Sequence, residues 1–191
     1  MKRIMFLLLI GLIAITGYSQ GAFAADQTAT ATVSATVAET FSIALNLSTL
    51  AFGSMAAGEF KELKTAGGTY HNEAVCKVNT GRAWALKINA AGDLTAGSKT
   101  IPVAKLQWMS TYAGSKNDPY GPGAGTLDHH PKAGYVPFTT TAHRVYLASG
   151  TDLNTLPNGL GIQFIYALSI PNTQAAGSYS TTVTYTLTET L

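Results

Sequence analysis

Period-two alternation is the feature of this sequence that most constrains its fold. The stretch GSYSTTVTYTLTETL at 177–191 places Tyr179, Val183, Tyr185 and Leu187 on one side and hydroxyl residues between them. Successive side chains of a β-strand point to opposite faces, so the stretch predicts a strand with one core face and one hydroxyl face. We expect it to pair inside a sheet, because a long exposed edge with so little charge invites aggregation.

Short alternating runs recur along the chain, separated by Gly, Asn, Pro and Asp, and helical periodicity is nearly absent after residue 24. The further candidate strands lie at 28–37, 41–47, 73–80, 83–90, 103–109, 143–149 and 161–170, with a short edge strand at 135–141. Such spacing predicts an all-β fold, a single antiparallel β-sandwich of Ig-like or pilin-like type with about eight strands.

The stretch at 113–134, AGSKNDPYGPGAGTLDHHPKAG, interrupts this pattern. Its glycines and prolines are incompatible with a central strand. A connection of this length is unusual in a compact domain, so we expect a long Gly/Pro-rich loop that is either functional or disordered.

Residues 1–24 have the features of a secretory signal peptide. Lys2 and Arg3 precede an apolar run, and the AFA at 22–24 fits a signal peptidase site before Ala25. The apolar run is shorter than the ~20 residues of a membrane span. We therefore expect export, with one domain at 25–191, no transmembrane segment in the mature chain, and a location that is secreted or at the extracellular cell surface.

Charge and cysteine content narrow the functional classes. The chain has 12 basic and 10 acidic residues, and loss of Lys2 and Arg3 would leave the mature chain neutral. No basic stripe is present, so we expect no nucleic-acid partner. Cys76 is the one cysteine, which excludes an internal disulfide, and its alternation with Ala74 and Val78 predicts a buried thiol.

The titratable residues predict no catalytic or metal site. Asp128, His129 and His130 are consecutive, and neighbouring side chains of an extended chain diverge, whereas zinc needs about four convergent ligands. His71 and His143 lie elsewhere. The sequence has no GxSxG nucleophile elbow and no evident pair of acidic residues. We expect no enzyme activity, no catalytic residue, no metal and no cofactor.

Aromatic residues in and beside the loop suggest a different class of function. Trp108, Tyr112, Tyr120 and Tyr135 could stack on sugar rings, as in a carbohydrate-binding module. The alternative is that Trp108 belongs to the core and the tyrosines cover it, because aromatic side chains dominate core burial. We favour the alternative.

Three stretches carry a resemblance to a known family: TATATVSATVAETFSIAL…LAFGSM at 28–55, GRAWALKI at 81–88 and LSIPNTQAAGSYSTTVTYTLTETL at 168–191. They resemble the WxL-domain surface proteins of Gram-positive bacteria, with fimbrial subunits and spore-coat-like β-sandwiches as looser relatives. Trp84-Ala85-Leu86 matches the first W-x-L motif. Tyr185-Thr186-Leu187 stands where the second would be, with tyrosine in place of tryptophan.

The resemblance implies a non-catalytic domain held at the cell surface through the peptidoglycan layer. Independently of this resemblance, Trp84, Leu86 and Ile88 share one face of a strand, which predicts that the motif side chains pack in the core.

Three functional hypotheses follow. The first is a secreted, envelope-associated or adhesive β-sandwich that binds an envelope polymer or other surface proteins. The second is a structural subunit of an extracellular filament, a pilus or fimbria, that self-assembles when the segment 25–37 completes a neighbour's sheet. The third, a carbohydrate-binding module, depends on the loop aromatics alone.

Overall fold

The computed structural model describes residues 29–64, 70–115, 123–128 and 134–190. The chain divides into two compact units, Met1–Thr36 and Val37–Leu191. In the first unit, the described residues 29–36 are exposed and belong to no helix or strand. The predicted signal peptide at 1–24 lies outside the described residues.

The second unit is built from short strands, as the alternating runs predict. The strands are β1 (Phe41–Leu45), β2 (Phe60–Leu63), β3 (Asn72–Val78), β4 (Trp84–Ala90), β5 (Leu94–Ala96), β6 (Lys99–Ile101), β7 (Leu106–Ser115), β8 (Thr126–Leu127), β9 (Val136–Pro137), β10 (His143–Leu147), β11 (Leu160–Ser169) and β12 (Val183–Glu189). Within the described residues, two 3-10 turns, Val103–Lys105 and Gly150–Leu153, accompany them.

These strands form two larger sheets with antiparallel pairing throughout. The first has the order β1-β3-β11-β7-β9, and β2 pairs with the second half of β11. The second has the order β12-β4-β10-β8, and β5 and β6 form a separate hairpin. The two sheets pack face to face, so the predicted all-β antiparallel sandwich is confirmed. No helix within the described ranges is long and apolar enough to cross a membrane.

The core lies between β4 and β11. Trp84, Leu86 and Ile88 alternate on β4, while Phe164 and Tyr166 extend from β11, and all five are fully buried. The rings of Phe164 and Tyr166 stack with centroids 6.0 Å apart. Because such side chains each contribute about 1.5–3 kcal/mol on burial, this layer supplies much of the stability of a chain without disulfides.

Most predicted strands are present with small shifts of their ends. The runs at 41–47, 73–80, 83–90, 143–149 and 161–170 correspond to β1, β3, β4, β10 and β11. The short strand predicted at 135–141 is β9, which ends the first sheet as expected of an edge strand. The run at 103–109 begins as a 3-10 turn and becomes strand at Leu106. Strands β2, β5 and β6 escaped prediction because each has only three or four residues.

The predicted strand at 28–37 was wrong. Residues 29–40 carry no strand or helix, and all but Thr40 are exposed. The alternation is real, but its apolar positions are mostly alanine. Such small side chains bury little area, so within its own chain the segment gains too little to offset the cost of folding back onto its own sandwich, since ordering the backbone costs about 1–2 kcal/mol per residue.

The start of the predicted loop at 113–134 was also wrong. Residues 113–115 belong to β7, where Ala113 pairs with Ile162 and Gly114 with Gly161. Thr126–Leu127 then forms β8 at the edge of the second sheet. Residues 116–122 and 129–133 lie outside the described ranges.

The C-terminal strand corrects a further expectation. Tyr179, Val183, Tyr185 and Leu187 do pack against the core, and Thr184 and Thr186 between them are exposed, as predicted. However, β12 ends its sheet and does not lie inside it: within the described chain it pairs with β4 and with no second strand.

Cys76 is fully buried and forms no disulfide, as predicted. Burial raises the pKa of its thiol from 9.0 to about 12. Between these values the unfolded chain loses this proton while the folded chain keeps it, so stability falls as the pH rises from about 9 to 12.

We therefore expect native Cys76 to react with a thiol reagent at pH 8 only when the fold opens, at a small fraction of the rate in denaturant. Stopped-flow labelling with and without denaturant measures the ratio. Equal rates in the two conditions would show that the thiol is accessible.

Candidate interaction surface

The four residues of the W-x-L resemblance meet on neighbouring strands. In the ladder between β4 and β12, Leu86 lies opposite Leu187, and Tyr185 lies opposite Ile88. Trp84 and Leu86 are fully buried, and the indole N–H of Trp84 donates to the carbonyl of Asp152 at 2.8 Å. These side chains therefore act in the core, as the packing interpretation predicts, and Trp84 has no surface to offer to a ligand.

Tyr185 connects this core to a buried polar group. Its hydroxyl contacts that of Tyr166, and the Nδ2 of Asn72 lies 3.5 Å from the Tyr185 oxygen. Burial raises the pKa of Tyr185 to about 12 and that of Tyr166 well above its usual value, so both phenols stay neutral at physiological pH. Asn72 is 1% exposed, and its Oδ1 accepts the backbone N–H of Leu47 at 3.2 Å.

Asn72 and Tyr185 also line a cleft of about 980 Å³ beside the edge strand β12. One wall is the stretch that follows β1, and the other is the stretch that enters β12. Its described apolar lining includes Leu45, Leu47, Phe52, Met55, Leu168, Ile170 and Val183. No charged residue occurs among the described residues that line it. Such a cleft suits an uncharged chain or surface better than an ion or a polyanion.

The backbone of β12 presents hydrogen-bonding groups along its outer edge. At the ends of the ladder with β4, the carbonyl of Thr182 accepts from Ala91, and the N–H of Thr190 donates to Ala83. Residues of an antiparallel strand alternate in the side to which their N–H and C=O point. Consequently the backbone groups of Val183, Tyr185 and Leu187 point away from β4, towards the outer edge.

Polar contacts fix the chain where it enters β1. The Oδ1 of Asn79 accepts the N–H of Thr40 at 2.6 Å, and its Nδ2 donates to the carbonyl of Ala38 at 2.9 Å. Arg82 pairs with Glu189 at 2.6 Å and with Glu39 at 3.4 Å. These ion pairs are exposed and add little stability. They do establish that the start of β1 lies near the Glu189 end of β12.

The structure separates the four aromatic residues predicted to contact a ligand. Trp108 is fully buried, with ring centroids 6.4 Å from Phe138 and 6.2 Å from Phe164, so it belongs to the core. Tyr112 lies on β7 opposite Gln163. Tyr120 lies outside the described residues.

Tyr135 is the remaining member of that group, and it is half-buried. Its hydroxyl donates to Glu62 at 2.5 Å, and its ring packs edge-on against Phe60, which is 52% exposed. Hydrogen bonds from Lys64 and Tyr135 lower the pKa of Glu62, so this carboxylate stays ionised. Phe60 and Tyr135 therefore form a small aromatic patch. Neither residue lines the cleft, and the ion pair of Glu62 and Lys64 lies beside them.

The histidine and acidic residues considered for metal binding do not form a described site. Asp128 pairs with Arg144 at 2.6 Å, and His129 and His130 lie outside the described residues. Over the described ranges, no group of three His, Cys, Asp or Glu side chains is placed to hold a metal ion.

A buried polar network, which the sequence did not reveal, anchors residues 123–128. Asp152, which is 8% exposed, accepts from the hydroxyl of Tyr146 and from the N–H of Gly125, the latter at 3.0 Å. A Cβ at Gly125 would lie 2.2 Å from the carbonyl oxygen of Leu147. Gly125 thus permits close approach of two backbones, and a glycine in such a stretch has the same sequence signature as a flexible loop.

The sequence also missed the cleft and Asn72. Asn72 directly precedes a predicted strand, and an asparagine in that position usually marks a turn rather than a buried polar group. No protein-family model matches this sequence, and no curated protein matches it either, so the resemblance to WxL-domain proteins remains a prediction.

Proposed function

We propose that this chain is a non-catalytic protein of the extracellular cell surface, associated with the envelope or adhesive, that acts through its β-sandwich surfaces. The observation that carries the proposal is the uncharged cleft beside β12, whose lining combines apolar side chains with hydroxyl residues that include Ser48, Thr49, Thr181 and Thr182. An apolar floor with a hydroxyl rim can bind a neutral polymer or an extended chain by burial and hydrogen bonding together. The predicted secretory signal supports the same location.

The test is fractionation of cells that express the full chain, with two matched variants. Leu47→Glu places a charge in the cleft, whereas Phe60→Glu places the same charge on the aromatic patch; both side chains are exposed in the native protein, at 41% and 52%. We expect the wild type and Phe60→Glu in the envelope fraction, and Leu47→Glu largely released into the medium.

Recovery of the wild type in the cytoplasm would contradict the proposal, as would equal retention of both variants. Release of Phe60→Glu alone would instead favour the carbohydrate-binding hypothesis, because that substitution removes the stacking face beside Tyr135.

A specific observation favours a second candidate, a structural subunit of an extracellular filament. Residues 29–36 are strand-forming in pattern yet belong to no strand, and Val33 is 93% exposed and Val37 82%. Exposed β-branched residues in an unpaired segment are suited to pairing with another chain. Negative-stain electron microscopy of the exported protein distinguishes the two candidates: filaments support the second, and discrete particles contradict it.

A further inference from the structure

We infer that residues 29–37 of a second copy of this chain dock as an added strand on the outer edge of β12 and cover the cleft beside it. The inference rests on the second candidate function and deepens it by naming the receiving surface. Two features of the chain support it. Residues 29–37 pair with no strand within the described chain, and the outer edge of β12 has backbone N–H and C=O groups that no second strand uses.

The receiving edge has the required backbone geometry. Val183, Tyr185 and Leu187 direct their N–H and C=O groups away from β4, and within the described chain no second strand pairs with β12. The side chains of these residues are only half-buried although they pack against the core. An added strand would satisfy the backbone groups and bury the exposed part of the side chains.

The segment and the cleft match in charge and shape. Residues 27–38 contain no charged residue, and neither do the described residues that line the cleft. In an extended chain the odd-numbered positions share one face, with Val33 and Val37 among alanines. This face would lie on the apolar floor, and the hydroxyl residues at even positions would continue the exposed threonine face of β12.

The lengths also agree. Nine residues of extended chain span about 30 Å, and the seven residues of β12 span about 23 Å. Residues 29–37 are therefore long enough to follow the strand and reach Thr181–Val183, which line the cleft.

A second copy fits this role better than the segment's own sandwich. The contacts of Asn79 and Arg82 fix residues 38–40 near the Glu189 end of β12, and the cleft lies beside the Val183 end. Docking on its own β12 would require the chain to reverse direction immediately before β1. A neighbouring copy can present the same segment without a turn.

The test uses the exported full chain and substitutions of opposite parity. Val33→Asp places a charge on the face that would be buried, and Thr32→Asp places the same charge one residue away on the opposite face. Both residues are exposed, so neither change affects folding of the sandwich. Burying an unpaired carboxylate on an apolar floor is strongly unfavourable. We expect self-association of the wild type and Thr32→Asp, and a weakening of more than about tenfold for Val33→Asp, measured by analytical ultracentrifugation over a concentration series.

A mixing experiment tests the receiving edge. Val183→Pro removes an N–H that points outward and leaves the ladder with β4 intact, a change that edge strands tolerate. The Val33→Asp variant keeps an intact β12 edge, and the Val183→Pro variant keeps an intact segment 29–37. We therefore expect each variant alone to be monomeric and their mixture to form a 1:1 complex. If circular dichroism shows that Val183→Pro does not fold, the comparison of self-association between Val33→Asp and Thr32→Asp tests the inference alone.

The remaining outcomes separate the inference from the function on which it rests. Equal association of Val33→Asp and Thr32→Asp with filaments still present would overturn the inference and leave the filament function standing. A wild type that stays monomeric at all concentrations would overturn both, and the envelope-associated function would remain.

Discussion

Truncation after Pro171 should abolish cooperative folding. The deletion removes β12, with its seven residue pairs to β4, and uncovers Leu86 and Ile88, which are fully buried in the intact chain. Each lost backbone hydrogen bond is worth about 0.5–1.5 kcal/mol, and each uncovered core side chain up to about 3 kcal/mol. Together these losses are comparable with the total stability of a domain of this size, about 5–15 kcal/mol.

Thermal unfolding followed by circular dichroism measures the effect, with deletion of residues 25–36 as the control. The described part of that segment is exposed and unpaired, so its removal should leave the melting temperature nearly unchanged at low protein concentration. A truncated chain that kept a sharp melt would show that β12 is an appendage. The function would then shift towards exchange of this strand between subunits.

Trp84→Ala should destabilise the protein by about 3–5 kcal/mol, the usual cost of emptying a buried tryptophan site. Trp84 is fully buried, and its ring lies 5.7 Å from that of Tyr146. The substitution also leaves the carbonyl of Asp152 without its indole donor. Denaturant titration at equilibrium gives the change in the free energy of unfolding.

Two variants make the result interpretable. Trp84→Phe keeps most of the packing and loses the hydrogen bond, so we expect an intermediate cost of about 1–3 kcal/mol. Phe60→Ala removes an aromatic side chain that is half exposed and should cost much less. If Trp84→Ala kept full stability and lost only envelope retention, the tryptophan of the W-x-L resemblance would be a binding residue and not a core residue.

The fold class could be predicted because alternation and core burial coincide on the long strands. On β4 the residues Trp84, Leu86 and Ile88 alternate in sequence and are buried in the structure, and Cys76 follows the same rule on β3. On such strands, hydrophobic area determines both the pattern and the packing. The faces of β12 were predicted correctly for the same reason.

Alternation does not determine which strands are neighbours, and the errors follow from this. The run at 28–37 alternates as regularly as β12, yet its described residues pair with no strand of their own chain, because alternation does not show whether a partner edge is within reach. The edge position of β12 depends on the order of strands across the sheet, which a single strand's sequence does not encode. The cleft arises from that order, together with Asn72, whose burial requires partners from distant parts of the chain.

The anchoring of residues 38–40 has a consequence for resistance to mechanical force. In β1, five residue pairs with β3 run from Phe41–Val78 to Leu45–Ala74, and their hydrogen bonds lie perpendicular to the strands. Tension applied to the N-terminal segment along the axis of β1 loads these bonds in shear, so that they break together and not one at a time. The contacts of Asn79 with Ala38 and Thr40 lie at the point where the load enters. If the protein is joined to its neighbours through this segment, a pulling force enters the sandwich in the direction in which the hydrogen bonds between β1 and β3 resist it together.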